Sequence, residues 1–338
     1  MSFITRRIGN STFNAIGFGA MGISSFYGAV ESDEERFKVL DAAHAAGCTF
    51  WDTSDVYGDS EDLLGKWFER TGKRNDIFLS SKFGFVQSKG GMDGTPEYVK
   101  EATEASLKKL GVDYIDMYYL HRVDPNTPIE LTVAAMAEFV KAGKVKYIGL
   151  SEVSAETLRR AHAIHPITAV QMEYSPFMLD IEDPKIAVLA TARELGIKIV
   201  AYSPLGRGLV TGQYKSTDEF ADDDIRKMIP RFSKENFPTI LKLADGLKAI
   251  GARYDNATAG QIALAWLLAQ GDDIIPIPGT KKTRYLLENV GASKIKLLKE
   301  DVDAVRKLAA EADAVPGDRY PSFMMDSVFG NTPPLQSK

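Results

Sequence analysis

SDEERFKVLDAAHAAGCTFWDT, residues 32–53, reads as one helix, one stop and one strand. Ser32 and Glu35 stand at capping-box spacing ahead of the helix-patterned Phe37–Ala46. Gly47 then occupies the place where a left-handed residue ends a helix. Thr49–Thr53 follows at once, short and apolar. The same junction returns at Leu110-Gly111-Val112 and Leu195-Gly196-Ile197, so the unit is a repeated helix–glycine–strand.

Working outward, eight apolar runs read as strands: Ala15–Gly19, Thr49–Thr53, Ile77–Lys82, Tyr114–Leu120, Val145–Leu150, Ala169–Tyr174, Lys198–Tyr202 and Ile274–Pro278. They are continuously apolar rather than alternating, as expected of strands covered on both faces. Helices fill the gaps. Thr95-Pro96 opens Glu97–Leu110, closed by Gly111, and Thr127-Pro128 opens Ile129–Ala142, closed by Gly143. Eight strands alternating with helices predict an α/β fold, a (β/α)8 TIM barrel. An open doubly wound sheet is the competing reading. Gly17-Phe18-Gly19-Ala20-Met21-Gly22 loosely fits a dinucleotide fingerprint, but no helix start follows it and no acidic residue ends a second strand about 20 residues on. The glycines are expected to serve a tight loop. Ile4–Phe13, with its Gly9-Asn10-Ser11 turn, predicts an N-terminal β-hairpin across the barrel bottom. Gly206–Pro238 is a long polar loop, and two helices, Thr239–Tyr254 and Thr258–Gln270, follow it, so one is extra. A further helix is expected at the C-terminus. Residues 1–338 are expected to form a single barrel domain, with residues from about 316 to 338 as a tail that wraps the surface or crosses the mouth.

Of the 338 residues, 44% are hydrophobic and 26% charged, enough apolar material for a core and too much for disorder throughout. A net charge of −5 argues against a general nucleic-acid binder. Cys48 is the only cysteine, which excludes an intrachain disulfide and a four-cysteine metal site. The N-terminus has no apolar signal region, and the longest apolar run, Ile262–Ala269, is too short for a membrane span. A cytoplasmic protein is expected.

In such barrels the chemistry lies at the C-terminal strand ends. Those ends carry Asp52 with the following Tyr57, Lys82, His121 and Arg122, Ser151 and Glu152, Gln171 and Glu173, Tyr202, and Gly279-Thr280. A strand-end Asp alone is often a helix cap and a lone His a core residue, but these types arrive in order on successive strands. With GFGAMG (17–22), WDTSDVYGDSEDLLG (51–65), SSKFG (80–84), LHR (120–122), GLSE (149–152), QMEYSP (171–176), YSPLGRG (202–208), ALAWLLAQ (263–270) and PIPGTKKTRYLLEN (276–289), the chain resembles the aldo-keto reductase superfamily over residues 3 to 315. Ser-Glu after strand five and the LGRG loop resemble the microbial and plant branch of pyridoxal reductase-like and perakine reductase-like enzymes.

The resemblance implies an NADPH-dependent reduction of aldehydes and ketones, with a catalytic tetrad of Asp52, Tyr57, Lys82 and His121. Chemistry agrees: hydride addition leaves an alkoxide that needs a proton, and a phenol with pKa ~10 needs a cation beside it to give one up. Lys82 is expected to lower the Tyr57 pKa, Asp52 to hold Lys82, and His121 to donate to the carbonyl oxygen. The resemblance further implies an NADPH/NADP+ site. Ala20, Met21 and Asp52 belong to it at the front of the barrel. Ser151 and Gln171 hold the carboxamide, Tyr202 stacks on the ring, and Ser203, Pro204, Leu205, Gly206 and Gly208 line the pyrophosphate loop. Gly279 and Lys281 lie at a helix N-terminus that suits phosphate, and Glu288 and Asn289 take the adenine. Arg231 reaches the adenosine phosphate or is a surface charge. Phe26, Tyr27, Trp51, Phe83 and Phe85 are expected to line a pocket for an apolar or aromatic carbonyl compound. No metal is expected from His162 and His165, nor calcium from Asp222-Asp223-Asp224. The partner expected is a small carbonyl molecule, with no nucleic acid and no membrane. The alternative function is a slow-turnover, NADPH-binding redox sensor like the potassium-channel β subunits.

Overall fold

The structure, a computed structural model, describes residues 3–26, 28–86, 90–222 and 224–336. Eight parallel strands follow one another round a barrel: β1 Phe18–Gly19, β2 Phe50–Asp52, β3 Phe78–Phe83, β4 Ile115–Leu120, β5 Val145–Ser151, β6 Ile167–Glu173, β7 Lys198–Tyr202 and β8 Ile274–Pro276. Backbone hydrogen bonds close the seam between first and last, from Gly17 N to Pro276 O (2.9 Å) and from Gly19 N to Pro278 O (3.2 Å). Glycine is forced there on both sides. A Cβ on Gly19 would stand 2.8 Å from Ile277 O, and one on Gly279 would stand 2.7 Å from Gly19 O. Gly17 and Gly19 thus serve close approach at the seam.

Besides the one-turn helices Met21–Ser24 and Ser322–Met325, the helices are α1 Asp33–Ala45, α2 Ser60–Thr71, α3 Pro96–Leu110, α4 Ile129–Lys141, α5 Ala155–Ile164, α6 Val188–Glu194, α7 Phe237–Gly251, α8 Ala259–Ala269, α9 Thr283–Gly291 and α10 Lys299–Asp313. Ser32 accepts from Glu35 N and Thr95 from Tyr98 N, so those two starts are set by side-chain caps. Thr127 behaves differently. Its hydroxyl donates to Asp124 Oδ2 at 2.7 Å, and Pro128 stands at the N-cap position of α4, where no side chain caps the helix.

The antiparallel hairpin Thr5–Ile8 and Ser11–Asn14 closes the barrel floor, where Ile8 and Phe13 pack against Phe50, Phe78 and Met117 inside the strands. A second, larger apolar layer lies between strands and helices and contains Trp51, Leu79, Tyr118 and Ile148. Alternation along each strand separates the two layers. Residues 206–232 form a series of 3-10 turns ahead of α7 and α8. The segment beyond α10 passes over the strand ends: Arg319 and Tyr320 are buried, and Gly330 pairs with Val153. Among the described residues, no helix is long and apolar enough to cross a membrane.

Candidate active site

On five of the strands the inward set begins with a floor residue and ends with a polar one two or four positions on. Phe50 leads to Asp52, Phe78 to Ser80 and Lys82, Met117 to Tyr119 and His121, Ala169 to Gln171 and Glu173, and Val200 to Tyr202. Period-two geometry therefore lifts these groups to the mouth of one barrel. Trp51 and Phe83, offset by one, face the helices instead. Trp51 packs 4.7 Å from Trp67 and Phe83 5.0 Å from Tyr118, so neither lines a pocket, contrary to the sequence expectation. Phe26 stays at the mouth, its ring edge-on to Tyr57 at 6.3 Å. Phe85 lines a neighbouring groove with Tyr98 and Asp55, and Tyr27 lies outside the described residues.

Lys82, fully buried, donates to Asp52 Oδ1 (2.5 Å), Thr53 O (2.7 Å) and Tyr57 Oη (3.3 Å). Asp52 Oδ2 accepts from Ser80 Oγ and Gln171 Nε2, both at 2.8 Å. Tyr57 Oη stands 3.5 Å from His121 Nε2, and His121 Nδ1 stands 3.1 Å from Ser54 Oγ. Tyr57 reaches this place from a turn after β2 that ends in Gly58, where φ is +57° and a Cβ would lie 2.7 Å from Ser24 O.

Burial opposes the charge on Lys82, but Asp52 and Tyr57 outweigh it and raise its pKa. For Tyr57 burial dominates: the phenol is pushed up, and Lys82 only pulls part of the way back. The sequence expectation of a net lowering is corrected on that point. The direction of the Lys82 effect holds, while desolvation of the phenolate exceeds it. Tyr57 is accordingly a protonated donor at neutral pH. Burial, helped by Lys82 and Arg122, holds His121 far below the usual imidazole range, so its ring is neutral.

The residues expected around a cofactor fall into three groups. Ala20 N bonds Asp52 O at 2.8 Å, and Met21 begins the short helix Met21–Ser24 beside it. Ser151 and Gln171 are buried at adjacent strand ends, Ser151 accepting from Arg122 (3.2 Å). The second group surrounds the N-terminus of α8, where Gly260 faces Leu205, Thr211 and Glu288. Thr258 Oγ1 donates to Glu288 Oε1 at 2.7 Å, and Asn289 is buried one residue on. Ser203, Gly206, Arg207 and Gly208 all have positive φ around Pro204 and Leu205, a curl of the kind that turns backbone N–H groups toward an anion. Third, α9 starts at Thr283 with no side-chain cap and no acid in its first turn, just after Gly279 and Lys281. Lys281 Nζ donates to Ala29 O at 2.8 Å. These donors fit a dinucleotide: amide-complementary groups deep in the mouth, a curled loop, and an uncapped helix start with Lys281, Lys282 and Arg284 beside it.

One residue sits differently from expectation. Arg231 is placed away from all three groups. Its guanidinium lies between Asp180 (3.5 Å) and Asp313 (3.4 Å) and donates to Gly317 O, tying the tail to α10. Tyr202 uses its hydroxyl on Glu152 Oε1 (2.8 Å) and Tyr320 Oη (2.9 Å). The tail residues were not singled out in the sequence. Arg319, 1% exposed, pairs with Glu152 Oε2 (2.5 Å) and Glu173 Oε2 (3.5 Å), and Arg207 approaches Glu173 at 3.6 Å. The one signal for it was two carboxylates on neighbouring strand ends, which burial obliges to find a cation. His162 and His165 each bond backbone, at Ile167 N and Pro166 O. Among the described residues, no three His, Cys, Asp or Glu side chains gather as a metal site.

The Aldo/keto reductase family profile matches residues 15–310. Aldo-keto reductase str7 of Strobilurus tenacellus is 65% identical over 324 residues, covering 94% of this chain and 95% of that protein. Aldo-keto reductase yakc [NADP(+)] of Schizosaccharomyces pombe is 49% identical, covering 99% of each. Among solved structures, the glycerol dehydrogenase AKR11B4 from Gluconobacter oxydans superposes with a TM-score of 0.83 at 26% identity, covering 94% of this chain and 98% of that one. A thermostable aldo-keto reductase bound to epalrestat gives 0.73 at 29%, covering 90% and 99%. With the same barrel and matches along nearly its whole length, the chain belongs to the aldo/keto reductase family.

Proposed function

We propose that this protein reduces aldehydes and ketones to alcohols with NADPH, and that Tyr57 supplies the proton. The observation that carries the reading is the Lys82–Tyr57–His121 cluster: one phenol within 3.3 Å of a buried ammonium and 3.5 Å of a neutral imidazole. The nucleotide, when bound, supplies hydride to the carbonyl carbon. Tyr57 Oη–H then protonates the oxygen as it takes up the electron pair, and the cation of Lys82 favours the phenolate left behind. Asp52 keeps Lys82 aimed at Tyr57 rather than at solvent. His121 Nε2 faces the same oxygen position and orients the carbonyl. Ser151 and Gln171 hold the carboxamide end, Leu205 through Gly208 the pyrophosphate, and Glu288 and Asn289 the adenine. Support for NADPH over NADH comes from the name of the fission-yeast relative and from the three cations at Lys281, Lys282 and Arg284. Phe26 beside Tyr57 favours apolar or aromatic carbonyl compounds. A cytoplasmic setting belongs to the same reading, since the one thiol, Cys48, is buried and takes no disulfide partner.

The test is NADPH oxidation, followed by absorbance, against a panel of aromatic and aliphatic aldehydes and ketones. Turnover with NADPH well above that with NADH supports the proposal. Tight nucleotide binding with no reduction of any aldehyde refutes it and points to a nucleotide-dependent binding module.

A further inference from the structure

Beside the four residues of the site lies a hydroxyl with one proton and several acceptors. Ser54 Oγ is 3.1 Å from His121 Nδ1, 3.1 Å from Asp55 Oδ1 and 3.4 Å from Lys82 O, while Val56 N donates to it. His121 is held in place by its backbone bond to Phe83 O (2.7 Å) and by its edge-on packing with Tyr57, so Nε2 points at the reacting oxygen position. We infer that Asp55, acting through the Ser54 hydroxyl, selects which nitrogen of His121 carries the proton. It thereby decides whether the mouth offers an N–H or a lone pair to the substrate oxygen.

The geometry permits two self-consistent patterns. With Asp55 protonated, its O–H donates to Ser54 Oγ, Ser54 donates to Nδ1, and the ring carries its proton on Nε2, facing the carbonyl. With Asp55 ionised, Ser54 gives its only proton to the carboxylate. Nδ1–H then donates to Ser54, and Nε2 is left as an acceptor. The first pattern favours carbonyl reduction. The second removes a donor from the carbonyl and suits an alcohol hydroxyl, which can donate to Nε2. No net proton is lost from the ring in either state; the change is a tautomer change driven by one carboxyl.

Asp55 is placed to titrate. It lines a groove of about 430 Å³ open to solvent, with Phe85, Val86, Tyr98, Glu101 and Lys109. Burial pushes its carboxyl up to about 7, and Glu61 of α2 pushes the same way. Lys109 of α3 and Lys82 of β3 oppose them, and Tyr98 and Glu101 of α3 also face the groove. Burial first, then the charges of Lys82 and Arg122, hold the His121 ring well below the usual imidazole range and so neutral. Ser54 and Asp55 are positioning residues, since they act through His121.

The inference rests on the proposed carbonyl reduction for its kinetic consequence only, so the first measurement does not use turnover. Only four histidines occur in the chain, and nitrogen-15 labelling of histidine reads the tautomer of each. His121, identified with a His121→Gln sample, should pass from the Nε2–H to the Nδ1–H form between pH 5.5 and 8.5, centred near 7. In Asp55→Asn, where the amide can donate to Ser54 at every pH, it should stay Nε2–H. Ser54→Ala should uncouple the tautomer from pH, and Ser54→Thr, which keeps the hydroxyl, should restore the transition. In turnover, aldehyde reduction by the unmodified protein should fall about tenfold across the same range, the worth of one hydrogen bond, and Asp55→Asn should lack that step. A tautomer that ignores pH in the unmodified protein, or an unchanged transition in Asp55→Asn, overturns the inference. Full reduction by Tyr57→Phe would sink the proposed function and leave the tautomer result standing.

Discussion

Replacing Lys82 by Met separates what this residue does for stability from what it does for chemistry. Lys82 is fully buried, and its partner Asp52 is 3% exposed. Lys82→Met removes donations to Asp52, Thr53 O and Tyr57 and leaves the Asp52 carboxylate with only Ser80 and Gln171. Breaking a buried pair by deleting one partner costs about 3–5 kcal/mol. At ~2.1 cal/mol/K of unfolding entropy per residue, a chain of 338 residues loses roughly 4–7 °C of Tm for that cost. Calorimetry measures it. The double variant Asp52→Asn with Lys82→Met has no stranded charge and should recover at least half of the lost Tm. Turnover should not recover, because neither variant has a cation facing Tyr57. It should stay about 10²-fold down or lower, in the range that acid catalysis contributes. A Lys82→Met protein within a degree of the parent Tm would refute the buried-pair reasoning. A double variant that regained turnover would refute the electrostatic role of Lys82.

His121→Ala should raise KM for the carbonyl and lower kcat while NADPH affinity, measured by fluorescence titration, stays within about twofold; loss of NADPH binding with normal turnover at saturation would contradict this. Lys281→Ala should lose about 10–150-fold in NADPH affinity, one charge-assisted contact, while NADH affinity barely moves; equal weakening of both would remove Lys281 from the phosphate site. Arg319→Met should destabilise by about 3–5 kcal/mol by stranding Glu152 and leaving Glu173 with only Arg207 at 3.6 Å. Burial opposes the charge on Glu152, but Arg319 and Arg122 outweigh it and hold its carboxyl below the usual range. The pair's stability is therefore present above the unfolded pKa of ~4.3 and is lost as pH falls through the lower folded value. Tm measured from pH 7 to 3 should show that acid loss in the parent protein and not in Arg319→Met.

The barrel was legible because its signal is local and repeated. Ser32, Thr95, Gly47, Gly111 and Gly143 mark helix ends by their own conformational needs, and short apolar runs between them can only be strands. Thr127-Pro128 marked the start of α4 at Ile129, although the Thr127 hydroxyl bonds Asp124 rather than the helix. The site was legible where period-two alternation decides the face, as for Asp52, Lys82, His121 and Gln171. Trp51 and Phe83 failed the same rule, since an aromatic at a strand end says nothing of which side it faces until the register is known. Arg231 and Arg319 were illegible for another reason. Each pairs with acids more than 50 positions away, and nothing local distinguishes a buried arginine in a loop from a solvated one. The net push on Tyr57 also needed the structure, because the sequence names its cation but not the depth of its burial.

The central claim is that the Tyr57 phenol delivers the proton in a nucleotide-dependent carbonyl reduction. Its most direct test is the turnover of Tyr57→Phe with an aromatic aldehyde at saturating NADPH, with nucleotide affinity measured on the same sample. Phe fills the same space beside Phe26 and lacks only the hydroxyl facing Lys82 and His121. The expected result is NADPH affinity within about twofold of the parent and turnover lowered by ~10²–10⁴-fold. A Phe variant that reduced the aldehyde within a few-fold of the parent rate would contradict the account.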